Sequence, residues 1–360
     1  MIDFEPSEEQ ALIVDTVRQF ATHEVRKAAR DADEAGALPA AVLDRAHELG
    51  LVSNALPEDH GGGGARSAVT GALIAEELAY GDLSLALGIL SPTLLALPIA
   101  DFGTDEQKKT WLPRFTGDRF VPGSLALVEP IFRFDPLRPT TTAKRDGGDY
   151  VLDGVKCFVP LQDGSDTVLV TASVDGAAGA FLVARAANGV TSAREKNLGL
   201  RALPTHELTL RGVRVPASAK LGGDDVVQAL VNRGRVGLAA AAVGVARAAF
   251  ELARDYAKER QTFGAPIATR QAIAFKLADM AIEIDGARLL AWEAAWKLDQ
   301  GADATREAAI ARHQAQRVVL EVADGAVQVF GGHGYIREYL PEMHLRNARG
   351  FSTFEALTLV

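Results

Sequence analysis

The hydrophobic period of this chain changes twice, and that change limits the fold more than any other feature. Up to about Arg119, and again past Gly222-Gly223, apolar residues recur at helical spacing; between those points they fall into short β-branched runs. Ser7-Glu-Glu-Gln10 is a capping-box pattern, and Leu12, Ile13, Val17, Phe20, Ala21 and Val25 follow it at helical intervals. A second helix is bounded by Pro39 and Gly50, the punctuation expected at its two ends. Residues 56–64 close on four glycines and read as a loop. Helices are expected over 65–80 and 82–101, and Thr104-Asp-Glu-Gln107 is another capping box.

The middle of the chain predicts strands at 141–145, 150–158, 167–173, 180–184 and 207–215. Asp153-Gly154 lies between Tyr150-Val-Leu152 and Val155-Lys-Cys-Phe158 and predicts a hairpin turn. Three long helical blocks, 224–260, 269–300 and 303–330, then supply enough helix for a bundle. The expected class is therefore mainly α with a small central β domain. An N-terminal helical domain is expected at 1–122, a barrel-like β domain at 123–222, and a C-terminal domain of four-helix-bundle type at 223–360.

Composition narrows the function. With 48% hydrophobic and 24% charged residues the chain has the balance of a globular protein rather than a disordered one. A net charge of −9 argues against sequence-independent binding of nucleic acid or of an anionic membrane, which both need a basic face. Cys157 is the one cysteine, so no internal disulfide can form, and a plain buried thiol in a reducing compartment is the expectation. Residues 1–6 lack a basic stretch leading into an apolar core, which points to the cytoplasm. The uncharged run at 83–100 contains Pro92 and Pro98 and reads as buried helix interrupted by proline rather than as a membrane span. No metal site is expected.

Two stretches carry candidate chemistry. In 326–356, Gly331, Gly332 and Gly334 allow close backbone approach, and Glu355 follows the uncharged Gly350-Phe-Ser-Thr-Phe354, a setting for a carboxylate base. The same residues also describe a glycine-capped helix end and a solvated acid. At the end of the first long block, Arg260 beside Phe263-Gly264 offers a guanidinium fork for phosphate oxygens and a ring to cover a planar group. Dipole and capping preferences would also put arginine and glycine there.

Taken with their neighbours, these stretches gain specificity. Glu259-Arg-Gln-Thr-Phe-Gly264, Gln271-Ala-Ile, Lys276-Leu-Ala-Asp-Met280, Gln328-Val-Phe-Gly-Gly-His-Gly334 and Glu355 stand in an order and spacing that resembles the acyl-CoA dehydrogenase family. The resemblance spans nearly the whole chain, through Leu56-Pro-Glu-Asp-His-Gly-Gly, Gly103-Thr-Asp-Glu-Gln-Lys108, Asp149-Tyr-Val-Leu-Asp-Gly-Val-Lys156 and Leu198-Gly-Leu-Arg201.

The resemblance implies an oxidoreductase of fatty-acid or lipid metabolism that uses FAD to dehydrogenate an acyl-CoA thioester. Glu355 matches the family's base, in Phe354-Glu355-Ala356-Leu357, and the position of an alternative base in some members is Gly234. Arg260, Thr262 and Phe263 match a segment that reaches across a subunit interface to FAD, and Arg270, Gln271, Gln328, Gly331 and Gly332 match further cofactor contacts. Asn232, Arg235 and Ala356 fall at the thioester end of the substrate. Residues 83–100 match the wall of the acyl cavity. A homotetramer or dimer and an electron-transfer flavoprotein as acceptor are also implied.

The flavin-facing β segment departs from the family pattern. Where the family has Thr-Glu-Pro followed by Gly-Ser-Asp, this chain has Val128-Glu129-Pro130-Ile131-Phe132-Arg133-Phe134-Asp135. Where it has Trp-Ile-Thr, this chain has Phe158-Val159-Pro160. An aromatic is retained at Phe158; the threonine hydroxyl and N–H are lost at Pro160. The sequence also ends five residues past Glu355, before the family's last helix. Val128, Phe134, Phe158 and Pro160 are thus the cofactor contacts in question. Three readings follow: an acyl-CoA dehydrogenase with diverged flavin contacts, a flavin-poor partner subunit of a hetero-oligomer, or a flavoenzyme acting on a carrier-protein thioester.

Overall fold

The computed structural model describes residues 5–360; of the stretch read for a leader, residues 1–4 lie outside that range. The first capping box forms in both directions. Ser7 Oγ accepts from the Gln10 N–H at 3.2 Å and Gln10 Oε1 accepts from the Ser7 N–H at 3.0 Å, opening α1 (Glu8–Phe20). A π-helical turn at Ala21–Val25 carries α1 into α2 (Arg26–Ala35), which Gly36 ends at φ 64°. There follow α3 (Ala40–Glu48), α4 (Ala68–Gly81), α5 (Leu83–Ile89), α6 (Thr93–Phe102) and α7 (Asp105–Trp111), the last opened by the Thr104–Gln107 box. The apolar run at 83–100 breaks at Leu90-Ser91-Pro92 into α5 and α6. Its length and hydropathy suit a membrane span, but 94% of it is buried inside the protein, so it is core helix.

The β domain contains β1 (Leu125–Ala126), β2 (Thr142–Asp146), β3 (Asp149–Pro160), β4 (Thr167–Val174), β5 (Ala177–Ala184), β6 (Val190–Arg194), β7 (Thr205–Pro216) and β8 (Lys220–Gly222). They form one sheet in the order β6-β7-β3-β2-β4-β5-β8, with β1 parallel to β4. The predicted hairpin at Asp153-Gly154 is not where the chain turns. Asp146 pairs with Asp149, so the turn is Gly147-Gly148, with Gly147 at φ 63°. Asp153 and Gly154 lie inside the twelve-residue β3, at a register shift against β7. A side chain at Gly154 would collide with Thr141, so this glycine serves close packing at a bulge rather than reversal.

The C-terminal bundle is built from α8 (Asp224–Glu259), α9 (Gln271–Asp299), α10 (Thr305–Phe330) and the shorter α11 (Pro341–Gly350). Between α8 and α9 a small hairpin pairs β9 (Gln261–Thr262) with β10 (Ala265–Pro266). Asn232 Nδ2 donates to Thr305 Oγ1 at one end of α8, and at the other Tyr256 stacks on Phe330 at 3.9 Å, so α8 and α10 run parallel. α4 lies along α8 in near backbone contact: a Cβ at Gly244 would run into the Glu76 carbonyl. This close seam also holds charge. Glu76 and Glu77 on α4 are buried and receive Arg247 of α8 at 3.0 and 2.6 Å, Arg288 of α9 at 3.1 Å and Arg18 of α1 at 2.9 Å. Such buried networks cost desolvation, and a single missing partner is penalised heavily, so they fix which helices meet.

Candidate active site

Glu355 is carried on the segment that leaves α11. Phe351 and Phe354 are both buried and anchor it, their rings 5.9 Å apart edge to face. Phe354 packs over Gly350 in space that any side chain there would occupy. Ala356 has φ 47°, a left-handed conformation that costs a residue with a Cβ about 1–3 kcal/mol. The surroundings compensate, because Gly234 on α8 lets the helix close on this turn: a Cβ at Gly234 would lie 2.8 Å from Ala356 Cα. Gly234 is thus needed for packing.

The two oxygens of Glu355 differ. Oε1 faces Arg235 Nη2 at 3.3 Å and Nε at 3.4 Å, longer than a strong charge-assisted bond. Oε2 is buried and has no hydrogen-bond partner among the described residues. Arg312, on α10, donates through Nη2 to the Phe351 and Phe354 carbonyls, the latter at 2.7 Å. Burial pulls its guanidinium down to about 10, with Glu355 opposing the shift and Arg235 adding to it. Asn232 accepts from Gln228 and donates to Thr305, so its amide bonds serve the α8–α10 seam. Beyond Ala356 the chain turns inward: the Leu359 N–H donates to Thr93 Oγ1, and Arg233 and Arg66 donate to the Val360 carbonyl.

Phe158 faces this loop from β3. Its ring meets Phe354 edge to face at 6.1 Å, and it too is left-handed, with φ 53° and its N–H donated to Glu195 Oε1 at 3.0 Å. The neighbouring polar groups are also committed. The Pro160 carbonyl accepts from Ser124 Oγ at 2.6 Å, and the Val128 carbonyl accepts from the Cys157 N–H at 2.9 Å. Phe134 is half-buried and packs against a core cluster containing Leu94, Leu125 and Leu230, while Phe132 is wholly exposed.

Behind Val128 and Phe158 lies an ion pair absent from the expected site residues. Lys156 Nζ meets Glu129 Oε1 at 2.9 Å with both side chains fully buried; Thr171 and the Leu127 carbonyl take its remaining donors, and Thr140 and Thr141 donate to Glu129. Burial alone would raise the Glu129 carboxyl, but the Lys156 charge and these hydrogen bonds overcome it and lower it to about 2. Lys156 is drawn down to about 8 by burial, against the pull of Glu129. Arg312 was also missed. Its signal was an arginine on an alanine face, with Ala308, Ala311 and Ala315 at helical spacing around it.

The other expected cofactor residues gather at the far end of α8. Phe263 is 96% exposed at φ 51°, Arg270 lies over its ring at 5.9 Å, and Arg270 Nη2 donates to the Thr262 carbonyl at 3.3 Å. Arg260, Gln271, Gln328, Gly331 and Gly332 are exposed too. Tyr256, Phe330, His333 and Tyr339 form an aromatic cluster that ties the end of α8 to the glycine segment, with Tyr256 Oη 2.8 Å from His333 Nδ1. From Arg235 to Arg260 along α8 is roughly 37 Å at about 1.5 Å per residue. The structure therefore assembles Glu355, Arg235, Ala356 and Phe158 in one place and the Arg260 set in another, without joining them.

Known proteins resolve what this arrangement belongs to. Three family descriptions match along the chain: the N-terminal domain of acyl-CoA dehydrogenase at residues 7–118, the middle domain at 124–213 and the C-terminal domain at 222–355. The probable acyl-CoA dehydrogenase YngJ of Bacillus subtilis (strain 168) is 38% identical, over 97% of this chain and 94% of its own length. This chain belongs to the acyl-CoA dehydrogenase family. Butyryl-CoA dehydrogenase from Megasphaera elsdenii superposes with a TM-score of 0.90 at 31% identity, covering 98% of this chain and 96% of that one. The prolyl acyl carrier protein oxidase AnaB superposes at 0.88 with 25% identity, covering 97% and 96%. Acyl-CoA dehydrogenase folds share the architecture seen here, helices, a central sheet and a helix bundle.

The family's chemistry is FAD-dependent oxidation, so the residues present can be tested against FAD. At the Arg260 end they fit. Exposed guanidiniums suit pyrophosphate, and Gly331 and Gly332 have open space where a Cβ would stand, which leaves the backbone accessible. At the Phe158 end an aromatic face is presented, but the Phe158 N–H is already bonded and Pro160 has none, so fewer donors meet a flavin edge.

Proposed function

We propose that this chain is an FAD-dependent enzyme that dehydrogenates the α,β bond of an acyl-CoA thioester, with Glu355 removing the α-proton. The observation that carries the reading is the buried, unpartnered Glu355 Oε2 on a carboxylate whose other oxygen faces Arg235. An α-hydrogen of a thioester is weakly acidic, so a base must be held within hydrogen-bond reach and its approach fixed. Arg235 and the Phe351–Ala356 turn supply that orientation, and the buried phenylalanines exclude water. Bound FAD would supply the acceptor for the β-hydrogen.

The second half of the reading is assembly. Phe275, Ile282, Leu289 and Trp296 are exposed large apolar residues at seven-residue intervals along α9, the spacing of a helix-to-helix seam. With Arg260 and Phe263 exposed and distant from Glu355, this supports a homo-oligomer, dimer or tetramer, in which the Arg260 set of one copy completes the cofactor site of another. An electron-transfer flavoprotein is the proposed acceptor and the cytoplasm the proposed location. Domain boundaries near 122 and 222 complete the proposal.

A second reading has its own support. The committed donors around Pro160 favour a flavin-poor partner subunit that lends Arg260 and Phe263 to a competent chain. The likeness to the prolyl acyl carrier protein oxidase supports a carrier-bound thioester as an alternative substrate. Purifying the chain alone, adding FAD and measuring bound flavin per chain separates the first pair: near-stoichiometric uptake is expected, and a protein that stays colourless sinks the enzyme reading. Bleaching of that flavin by one acyl group, offered on CoA and on a carrier protein, then decides the substrate.

A further inference from the structure

We infer that Arg312 is a positioning residue for the base, closing the turn that carries Glu355. The inference rests on Glu355 being the base, and it follows from what this guanidinium touches. Arg312 is 7% exposed, on the inner face of α10. Its Nη2 donates to the Phe351 carbonyl and, at 2.7 Å, to the Phe354 carbonyl. One nitrogen thus bridges the two ends of the turn, and the second carbonyl belongs to the peptide bond leading directly into Glu355. The turn's own contribution is modest: Thr353 and Phe354 both donate their N–H to the same Gly350 carbonyl.

Stability alone does not account for an arginine here. Burying a guanidinium is costly, and among the described residues Arg312 has no ion pair to offset that cost; there its Nη1 reaches Gln316 Oε1, at 3.3 Å, and its Nε is buried without a hydrogen-bond partner. Both bonds come from Nη2, whose two N–H groups are held at a fixed angle in the guanidinium plane, whereas a lysine ammonium would meet the two carbonyls as a rotatable point charge. Its charge also acts on the Glu355 carboxylate without hydrogen-bonding to it, which leaves Oε2 free for a substrate proton. Arg235 holds the carboxylate from α8 and Arg312 holds its backbone from α10. Because α8 and α10 are parallel neighbours, the two grips fix Glu355 relative to one rigid pair of helices.

The test uses the full-length protein loaded with FAD, comparing Arg312→Met and Arg312→Lys with wild type. Arg312→Met should lower kcat on the order of a hundredfold, the effect of a small misplacement of a catalytic group, with KM for acyl-CoA and flavin content unchanged. Arg312→Lys should fall between the two. Hydrogen exchange on the protein without substrate should show faster exchange confined to the turn from Phe351 to Ala356 in the Met variant. Wild-type kcat in Arg312→Met would overturn the inference. So would equal losses of kcat, flavin content and global exchange protection in both variants, which would mark a purely structural arginine. Should the Met variant not fold, the Lys variant alone decides, through its kcat against KM. Glu355→Gln run alongside separates the two claims: if it still reduces flavin, the base assignment fails; if it is inactive while Arg312→Met keeps full kcat, only the role of Arg312 fails.

Discussion

The two ends of α8 are opposites. At the Arg235 end, Glu355, Arg312, Phe351 and Phe354 are packed within one chain, and each main contact is made internally. At the Arg260 end, Phe263, Arg270, Gln271 and the glycines face outward. On the proposed reading a charged base must be fixed before substrate arrives, and the Glu355 loop is held by the buried Arg312 and the partly buried Arg235, with a left-handed residue in the loop, Ala356, and another facing it from β3, Phe158. A surface that is to close on a cofactor or another copy must instead keep its donors unspent. On that reading the buried end would carry the chemistry and the exposed end the assembly.

Breaking the exposed end should have the larger effect on cofactor retention. Arg260→Gln with Phe263→Ala should weaken FAD binding by about tenfold to a hundredfold, the value of a charge-assisted hydrogen bond and a ring contact, with no change in the melting of the chain, since both side chains are exposed. Equilibrium dialysis against FAD checks this; unchanged affinity would remove this end from the cofactor site. The buried β edge should respond in the opposite way. Lys156→Met strands the Glu129 carboxylate and should cost roughly 3–5 kcal/mol in urea denaturation, while Glu129→Gln combined with Lys156→Met should recover much of that loss. A double variant no better than the single would mean that Lys156 acts through packing rather than charge.

The smallest expected effect concerns pH. His344 on α11 is wholly buried, and burial, aided by the Arg26 charge, pulls its imidazole from 6.5 to about 4. It is neutral in the fold and protonates more readily once unfolded. Its contribution is therefore present above about pH 6.5 and is lost as pH falls through about 4. His344→Gln should flatten the stability profile in that window, measured as denaturation midpoints, and an unchanged slope would assign the acid sensitivity to other groups.

Much of the fold was legible because periodicity reports directly on burial. Both capping boxes form, and the α, β, α order is as the period changes imply. The hairpin was misplaced because Asp-Gly and Gly-Gly both suit a tight turn, and only the pairing of β3 with β7 and the crowding at Thr141 decide between them. Short strands such as β1, β6 and β8 owe their existence to neighbours in the sheet, which local sequence does not display. Glu355 could be singled out as a candidate from its uncharged lead-in and motif. Arg312 and the Glu129–Lys156 pair could not be placed, because their meaning lies in contacts between residues 27 to 42 positions apart.

Anaerobic reduction of bound flavin by an acyl-CoA, compared in wild type and in Glu355→Gln, tests Glu355 as the base most sharply. Rapid bleaching is expected in wild type and, in the variant, a flavin that stays bound but is reduced more slowly by about two to four orders of magnitude, the range for losing a general base. Equal bleaching rates in the two proteins would contradict that assignment.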